Sequence, residues 1–478
     1  MTKLLKNIVI LSALLGAATP LRGDDNTEIS AAISAAKDAP RNQAANLKAA
    51  DLLKDAGRFQ EAIPFYLKGG NSGNLGIAES YFYLYDFDKA DEYLDKYLAK
   101  RTKNEAAKDM GFSYGNGDET LDWTDYLRSR IDLGRSMLDR VEKIQIVDSI
   151  NVPADQFFKF IKLAKSAGRL ADEFEIESIV PKEYLDSESI SGLWAPAYIS
   201  ESGEDMIWYG SANDGESKMF ESYRLADGSW DNPAALFDYK SIFGNSNGSW
   251  VGYPFLMADG ITLYFAADGE NSLGDLDIFI SRRDEDGFLQ PSNIGMPYNS
   301  PYNDYMYAID EQTGAGWWAT DRNGLKDSVT IYTFIPQDLR INYPVDTPNL
   351  ADYAKVTSIG MTQNPDRDYS KFRDKIASLE LSKTSGSNRR FEFALPNGKI
   401  ITSVSDLASG MAREAMRQYL DEQKAYDDAV AHLAELRKAY AAGDRSIEHE
   451  ILTLENGLDH RRAELKRIKN SIITAVMN

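Results

Sequence analysis

The chain of 478 residues contains no cysteine. That excludes disulfide staples, thiolate nucleophiles, thiolate metal ligands and the lipid-modified cysteine of a lipoprotein N-terminus. Histidine is almost as scarce: His432, His449 and His460 are the three, all near the C-terminus. With no histidine in the β-rich middle of the chain, Ser-His-Asp or Cys-His catalysis is excluded there. His449 and His460 are eleven residues apart and share a helix face, but a metal site needs a further ligand in fixed geometry, and solvated helix positions account for them. Basic residues are also in deficit, 53 Lys and Arg against 74 Asp and Glu, for a net charge of −21. Nucleic acid and bare anionic lipid are therefore poor partners, because phosphates attract basic surfaces. No run approaches the ~20 apolar residues of a membrane span.

What is present begins with a basic start, Lys3 and Lys6, then the apolar run Ile8 to Leu15 and small residues at Gly16, Ala17 and Ala18. These are the parts of a secretory signal peptide, assigned to residues 1–23, with cleavage after Ala18 or near Gly23. An exported, periplasmic protein is expected, without a membrane span.

Residues 28–142 read as a helical domain. Aligning Gln60-Glu61-Ala62-Ile63 with Asp88-Lys89-Ala90-Asp91 puts Ala62 over Ala90, Ala50 over Ala78 and Leu53 over Tyr81, at a spacing of 28 residues. Small residues where helices cross and large ones beside them are what a helix-pair repeat needs. The pattern resembles the tetratricopeptide repeat, though its spacing is shorter than the usual ~34 residues and no third unit is clear. A helix from about Trp123 to Glu142 runs into the alternating Ile144 to Val147, which predicts a strand, and Asp155 to Lys165 predicts a short helix.

From about Leu193 the texture becomes short β-rich runs between Gly, Asp, Asn and Ser clusters. The runs repeat. Met206 to Ala212 matches Ile261 to Ala267, and both match Gly316 to Thr320, so that Tyr209, Tyr264 and Trp317 coincide, as do Asn213, Asp268 and Asp321. The spacings are 55 and 53 residues, and each unit continues into a second strand at Met219 to Tyr223, Ile278 to Arg282 and Ile331 to Phe334. A period near 50 with about four short strands per unit predicts propeller blades. Three are clear, and the runs Ile144 to Val147 and Glu173 to Ile179 are candidates for a degenerate extra blade.

Thr262-Leu263-Tyr264-Phe265-Ala266-Ala267-Asp268, then Gly274-Asp275-Leu276-Asp277-Ile278-Phe279, then Asn293-Ile294-Gly295 resemble the TolB-like β-propeller repeat, most closely in the middle unit. The combination with tetratricopeptide-like helices is similar to Bacteroidota cell-envelope proteins, many of which end in an OmpA-type peptidoglycan-binding domain. This chain lacks that domain, so peptidoglycan binding does not carry over. The resemblance implies a non-catalytic propeller, assigned to residues 143–345, in the periplasm or at the outer membrane.

Residues 346–404 form a connector in which Pro396-Asn397-Gly398 between Phe391 to Leu395 and Lys399 to Thr402 predicts a β-hairpin. In residues 405–478, Ala412, Tyr419, Tyr426, Leu433 and Tyr440 recur every seven residues, and Ile447, Ile451, Leu454, Leu458, Leu465, Ile468 and Ile472 follow spacings of three and four, with Arg461 an intruder. Heptads on both sides of Gly443-Asp444 predict an antiparallel coiled-coil hairpin. The fold class expected is thus multidomain α and β: N-terminal helical repeats, a β-propeller-like all-β domain and this hairpin.

The remaining enzymatic chemistry is carboxylate-based, as in glycan-cleaving propellers. Yet Asn213, Asp268 and Asp321 recur at the same place in each unit, and with Asp277 they read as blade-turn positions whose oxygens accept backbone N–H groups. A calcium site between Asp268 and Asp277 has the oxygen chemistry but not the EF-hand spacing. Trp317 fills the repeated strand position, so Trp318 points to the opposite face and, with Trp230, is a candidate binding-face residue. No catalytic residue, cofactor or metal is assigned. The expectation is a non-enzymatic scaffold or binding protein for envelope proteins, in a periplasmic or outer-membrane-associated complex, with a glycan-binding or glycan-cleaving propeller as the alternative.

Overall fold

A computed structural model describes residues 23–478 apart from 111, 114–119, 173–174, 177–178, 182–183, 186–194, 212–216, 226–228, 238–249, 270, 325–327, 386–392, 395–399, 402–403, 405–406, 408, 442–444 and 478. The signal-peptide assignment, Asn213 and the turns at 396–398 and 443–444 lie outside the described residues.

The N-terminal part is helical: α1 (Gly23–Asp38), α2 (Gln43–Asp55), α3 (Phe59–Tyr66), α4 (Asn71–Tyr83), α5 (Phe87–Leu98), α6 (Lys103–Asp109) and α7 (Trp123–Leu138). A short pair, β1 (Phe112–Ser113) and β2 (Thr120–Leu121), separates α6 from α7. Side chains mark the helix starts: the Asn42 side chain accepts the Ala45 N–H, Asp86 that of Lys89, and Thr102 forms a capping box with Glu105. Ala50, Ala62, Ala78 and Ala90 are fully buried, as close helix crossings require. The α4 helix starts at Asn71. Its first turns press on α3 so tightly that a Cβ at Gly73 would lie 2.0 Å from the Tyr66 carbonyl oxygen, and only glycine fits.

Three antiparallel sheets follow, built from β3 (Gln145–Pro153), β4 (Arg169–Ala171), β5 (Ala197–Ile199), β6 (Asp205–Ser211), β7 (Ser217–Tyr223), β8 (Ala234–Ala235), β9 (Val251–Leu256), β10 (Thr262–Ala267), β11 (Asp277–Asp284), β12 (Gly287–Phe288), β13 (Ser292–Asn293), β14 (Asp304–Asp310), β15 (Ala315–Thr320) and β16 (Ser328–Ile335). Their orders are β4-β5-β6-β7-β8, β9-β10-β11 with β12 and β13 on β11, and β14-β15-β16-β3. The repeated motifs are adjacent, antiparallel strands in each sheet: β6 and β7, the third and fourth of the first sheet, and β10 with β11 and β15 with β16, the second and third of the other two.

Two expectations are corrected here. The run at Ile144 to Val147 does not begin a separate sheet: from Gln145 on it is part of β3, which pairs along β16 and supplies the fourth strand of the third sheet. The helix expected over 155–165 is a 3-10 helix, Ala154–Phe160, followed by extended chain. Phe157, Phe158, Ile161 and Leu163 are all buried in one cluster with residues of all three sheets, so burial on several sides displaced helical spacing. The Phe157 ring lies 5.6 Å from Tyr253 on β9 and 5.9 Å from Tyr305 on β14, which places this segment against the first strands of the second and third sheets.

After the sheets come α8 (Leu350–Lys355), α9 (Ser370–Ser385), the paired β17 (Phe393–Ala394) and β18 (Ile400–Ile401), and two long helices, α10 (Gly410–Ala441) and α11 (Glu448–Met477). The long helices lie together through Ala412, Met416, Ile468 and Ile472, and this core is completed by Phe393, Ile401 and Leu407. Arg461, the intruder in the apolar spacing, is paired across the helices with Glu422 at 2.6 Å, and the exposed His432 faces Glu450 at 3.1 Å. Among the described residues, no helix is long and apolar enough to cross a membrane.

Candidate ligand cleft at the helix–sheet seam

The helices and the second sheet share a seam built from one loop. Between β10 and β11 the chain turns at 271–276, and Asp277 holds this turn by accepting the N–H groups of Leu273 (2.8 Å) and Gly274 (3.0 Å) and the Asn293 amide (2.6 Å). From the other side, the buried Arg130 of α7 donates to the carbonyls of Ser272 and Gly274 and, at 3.4 Å, of Gly269. Leu273 inserts into the helical core beside Phe82, Leu127 and Ile131. Gly274 is obligatory, because a Cβ there would sit 1.9 Å from the Tyr302 carbonyl oxygen. The loop backbone is therefore clamped, and it presents Asp275 to a narrow cleft.

The cleft is walled by Phe59, Tyr83, Trp123 and Tyr126, with Lys54, Glu79, Arg130 and Asp275 between the rings. Phe59 stacks on Tyr83 at 4.7 Å, Trp123 lies 5.5 Å from Tyr126, and the Arg130 guanidinium covers Tyr126 at 4.4 Å. Glu79 accepts the Trp123 indole N–H at 2.8 Å and the Lys54 ammonium. Burial pushes the Asp275 carboxyl up to about 6, with Arg130 opposing the rise and Asp321 adding to it. Burial also holds Asp268 well above the usual carboxylate range, and its Oδ1 is buried without a hydrogen-bond partner. Arg130 lowers Asp268, Asp275 and Asp277 alike, so one cation from the helices serves three carboxyls at and beside the loop between β10 and β11.

The carboxylates singled out by the repeat are spread over several roles. Asp277 ties the seam loop. Asp321 accepts the Asn303 N–H at 2.9 Å and the Tyr305 hydroxyl at 2.9 Å, joining the end of β15 to the start of β14. Asp268 follows β10, near Asp275 and Arg130. The sequence pattern did not single out Arg130, Glu79 or Asp275 as a set, since they come together only across the seam.

The two tryptophans named as binding-face candidates sit differently from that expectation. Trp318 does point opposite to Trp317, but both faces of its sheet are covered. It is fully buried, stacked on Tyr332 at 4.5 Å and packed with Ile146, Tyr298 and Phe334 in a cluster that includes Ile278 of the second sheet. Trp317 faces the cluster of Phe157 and Ile161. Strand alternation separates the two side chains but exposes neither, because sheets packed face to face leave no open side. Trp230 is half-buried against the Trp208 and Phe220 cluster of the first sheet.

Comparison of the chain with protein-family models, with curated proteins and with solved structures finds no match in any of the three.

Proposed function

We propose that this chain is a non-enzymatic scaffold of the cell envelope, binding other proteins in a periplasmic or outer-membrane-associated assembly. In this reading the three sheets are blades of an incomplete TolB-like propeller, with β3 returning to complete the last blade. The α2/α3 and α4/α5 pairs are tetratricopeptide-like, and α10 with α11 is an antiparallel coiled-coil arm.

One observation supports it above the others. Helices of 32 and 30 residues, about 48 and 45 Å long at ~1.5 Å per residue, form a core of their own with the β17–β18 pair. A two-helix arm buries one stripe of each helix and leaves the remaining faces to a partner. The experiment is in-cell crosslinking followed by envelope fractionation, comparing the full chain with one lacking residues 405–478. A crosslinked complex in the outer-membrane or periplasmic fraction that disappears on deletion, while the truncated chain still melts cooperatively, is the expected result. Recovery of the full chain as an uncrosslinked monomer, or in the cytosol, overturns the reading.

A further inference from the structure

We propose that α10 and α11 dock on a second copy of this chain, the two arms lying antiparallel to one another. The inference rests on the reading of these helices as a docking arm and names the partner.

Charge is laid out unevenly along the arm. The two helices keep one antiparallel register. Ala412 and Met416 pack with Ile468 and Ile472 at the base, Glu422 meets Arg461 at 2.6 Å further out, and the Tyr440 hydroxyl donates to Glu448 at 3.3 Å near the tip. The base half, 410–425 with 458–477, holds eight basic and five acidic residues. The tip half, 426–441 with 448–457, holds two basic and six acidic. Exposed side chains follow the same division: Arg417 and Arg467 at the base, Asp428, Glu448 and Glu450 towards the tip. A second copy laid antiparallel sets a positive base on a negative tip twice, through one two-fold axis. Laid parallel, it would set tip on tip and base on base.

The remainder of the chain favours the same direction. The two helices together carry ten basic and eleven acidic residues, so nearly all of the net charge of −21 lies outside them. That remainder joins at the base, where Phe393, Ile401 and Leu407 complete the core. Antiparallel arms therefore hold two acidic bodies at opposite ends of a contact about 45 Å long, several times the screening length of ~8 Å. Apolar surface is available for the contact as well. Leu436, Tyr440, Leu454 and Leu458 are only half-buried between the two helices, and Leu452 is exposed. Two helices side by side, each about 10 Å wide, give a footprint of about 900 Å² per copy, against ~800 Å² per partner in stable interfaces.

The test uses the purified full chain in sedimentation velocity. A dimer is expected, with Kd rising about tenfold or more between about 0.05 and about 0.5 M NaCl. Removal of residues 405–478 is expected to leave a monomer. The pair Arg417→Glu and Arg467→Glu reverses exposed charge at the base, and the pair Asp428→Lys and Glu448→Lys does so towards the tip. Each double variant alone should dimerise about tenfold more weakly. An equimolar mixture of the two should regain the parent's affinity, because each negative base then meets a positive tip. Circular dichroism confirms that both keep their helices. Since the chain has no cysteine, M411C at the base and S446C at the tip report direction. A disulfide between an M411C chain and an S446C chain is expected, in preference to one between two S446C chains. The inference is overturned if the full chain sediments as a monomer up to about 100 μM, or if the truncated chain still dimerises. Preferred tip-to-tip crosslinking, or a mixture that regains nothing, overturns it too. A monomer of purified chain leaves in-cell crosslinks to other proteins untouched. Conversely, the lack of such crosslinks overturns the envelope reading without affecting a dimer of purified chain.

Discussion

Replacing Arg130 by Met tests whether the helices and sheets are one mechanical unit. Arg130 is buried, with 3% of its surface exposed, and its guanidinium donates to the carbonyls of Ser272, Gly274 and Gly269. Methionine retains much of the aliphatic stem and removes the donors and the charge. Leaving buried acceptors unpaired costs about 1–3 kcal/mol each, and removing one partner from a buried charged set costs about 3–5 kcal/mol in all. A loss of about 3–5 kcal/mol is therefore expected in urea unfolding followed by circular dichroism and tryptophan fluorescence. The loss also depends on pH. Arg130 holds down the pKa of Asp275, so its removal raises a folded-state value that burial has already pushed up to about 6. An acid whose folded pKa lies above its unfolded value of about 4 binds protons more readily when folded, and stability falls as pH rises through that interval. The Met variant should thus be penalised more at pH 8 than at pH 5, and adding Asp275→Asn should recover part of the difference. Separation of the helical and sheet signals into two transitions would fit the same picture. A loss under about 1 kcal/mol at both pH values, in a single unchanged transition, refutes the reasoning.

Two further outcomes follow from burial elsewhere. Trp318→Ala empties a space closed on both sides by sheets, and a loss of about 3–5 kcal/mol in chemical denaturation is expected; a loss below 1 kcal/mol would mean that the side chain is not packed between sheets. Asp205 has its carboxyl pushed up to about 7 by burial and by the neighbouring Glu221 charge, against Arg283, so it costs stability as pH rises from about 4 to about 7. At about 1.4 kcal/mol per pKa unit the ceiling is about 4 kcal/mol, and partial solvent screening reduces the expected effect to about 2 kcal/mol. Asp205→Asn should gain on the parent by about that amount between pH 5 and pH 8, and a pH-independent difference in melting would rule the mechanism out.

Much of the local structure was legible residue by residue. Phe393 and Ile401 pair, as the hairpin reading of that stretch expects. The three matched runs become equivalent strands because a period of two needs only neighbouring residues to define it. The stretch 155–165 departs from its expected helix because apolar spacing cannot tell one covered face from several. Trp318 was misread because alternation tells that two side chains part, and says nothing of what lies beyond each.

The sequence by itself determined the elements and their repetition, since capping, turn chemistry and hydrophobic period act over a few residues. It also determined what chemistry is missing, through the absence of cysteine and the scarcity of histidine. Only the tertiary structure decided that β3 joins a strand about 180 residues away in the chain, from Asn151 to Thr330, and that Arg130 clamps a loop 142 residues later. The cleft likewise exists because Lys54, Glu79, Trp123 and Asp275 meet where two layers pack. Such meetings depend on the summed burial of both layers, and no local pattern in either layer encodes them.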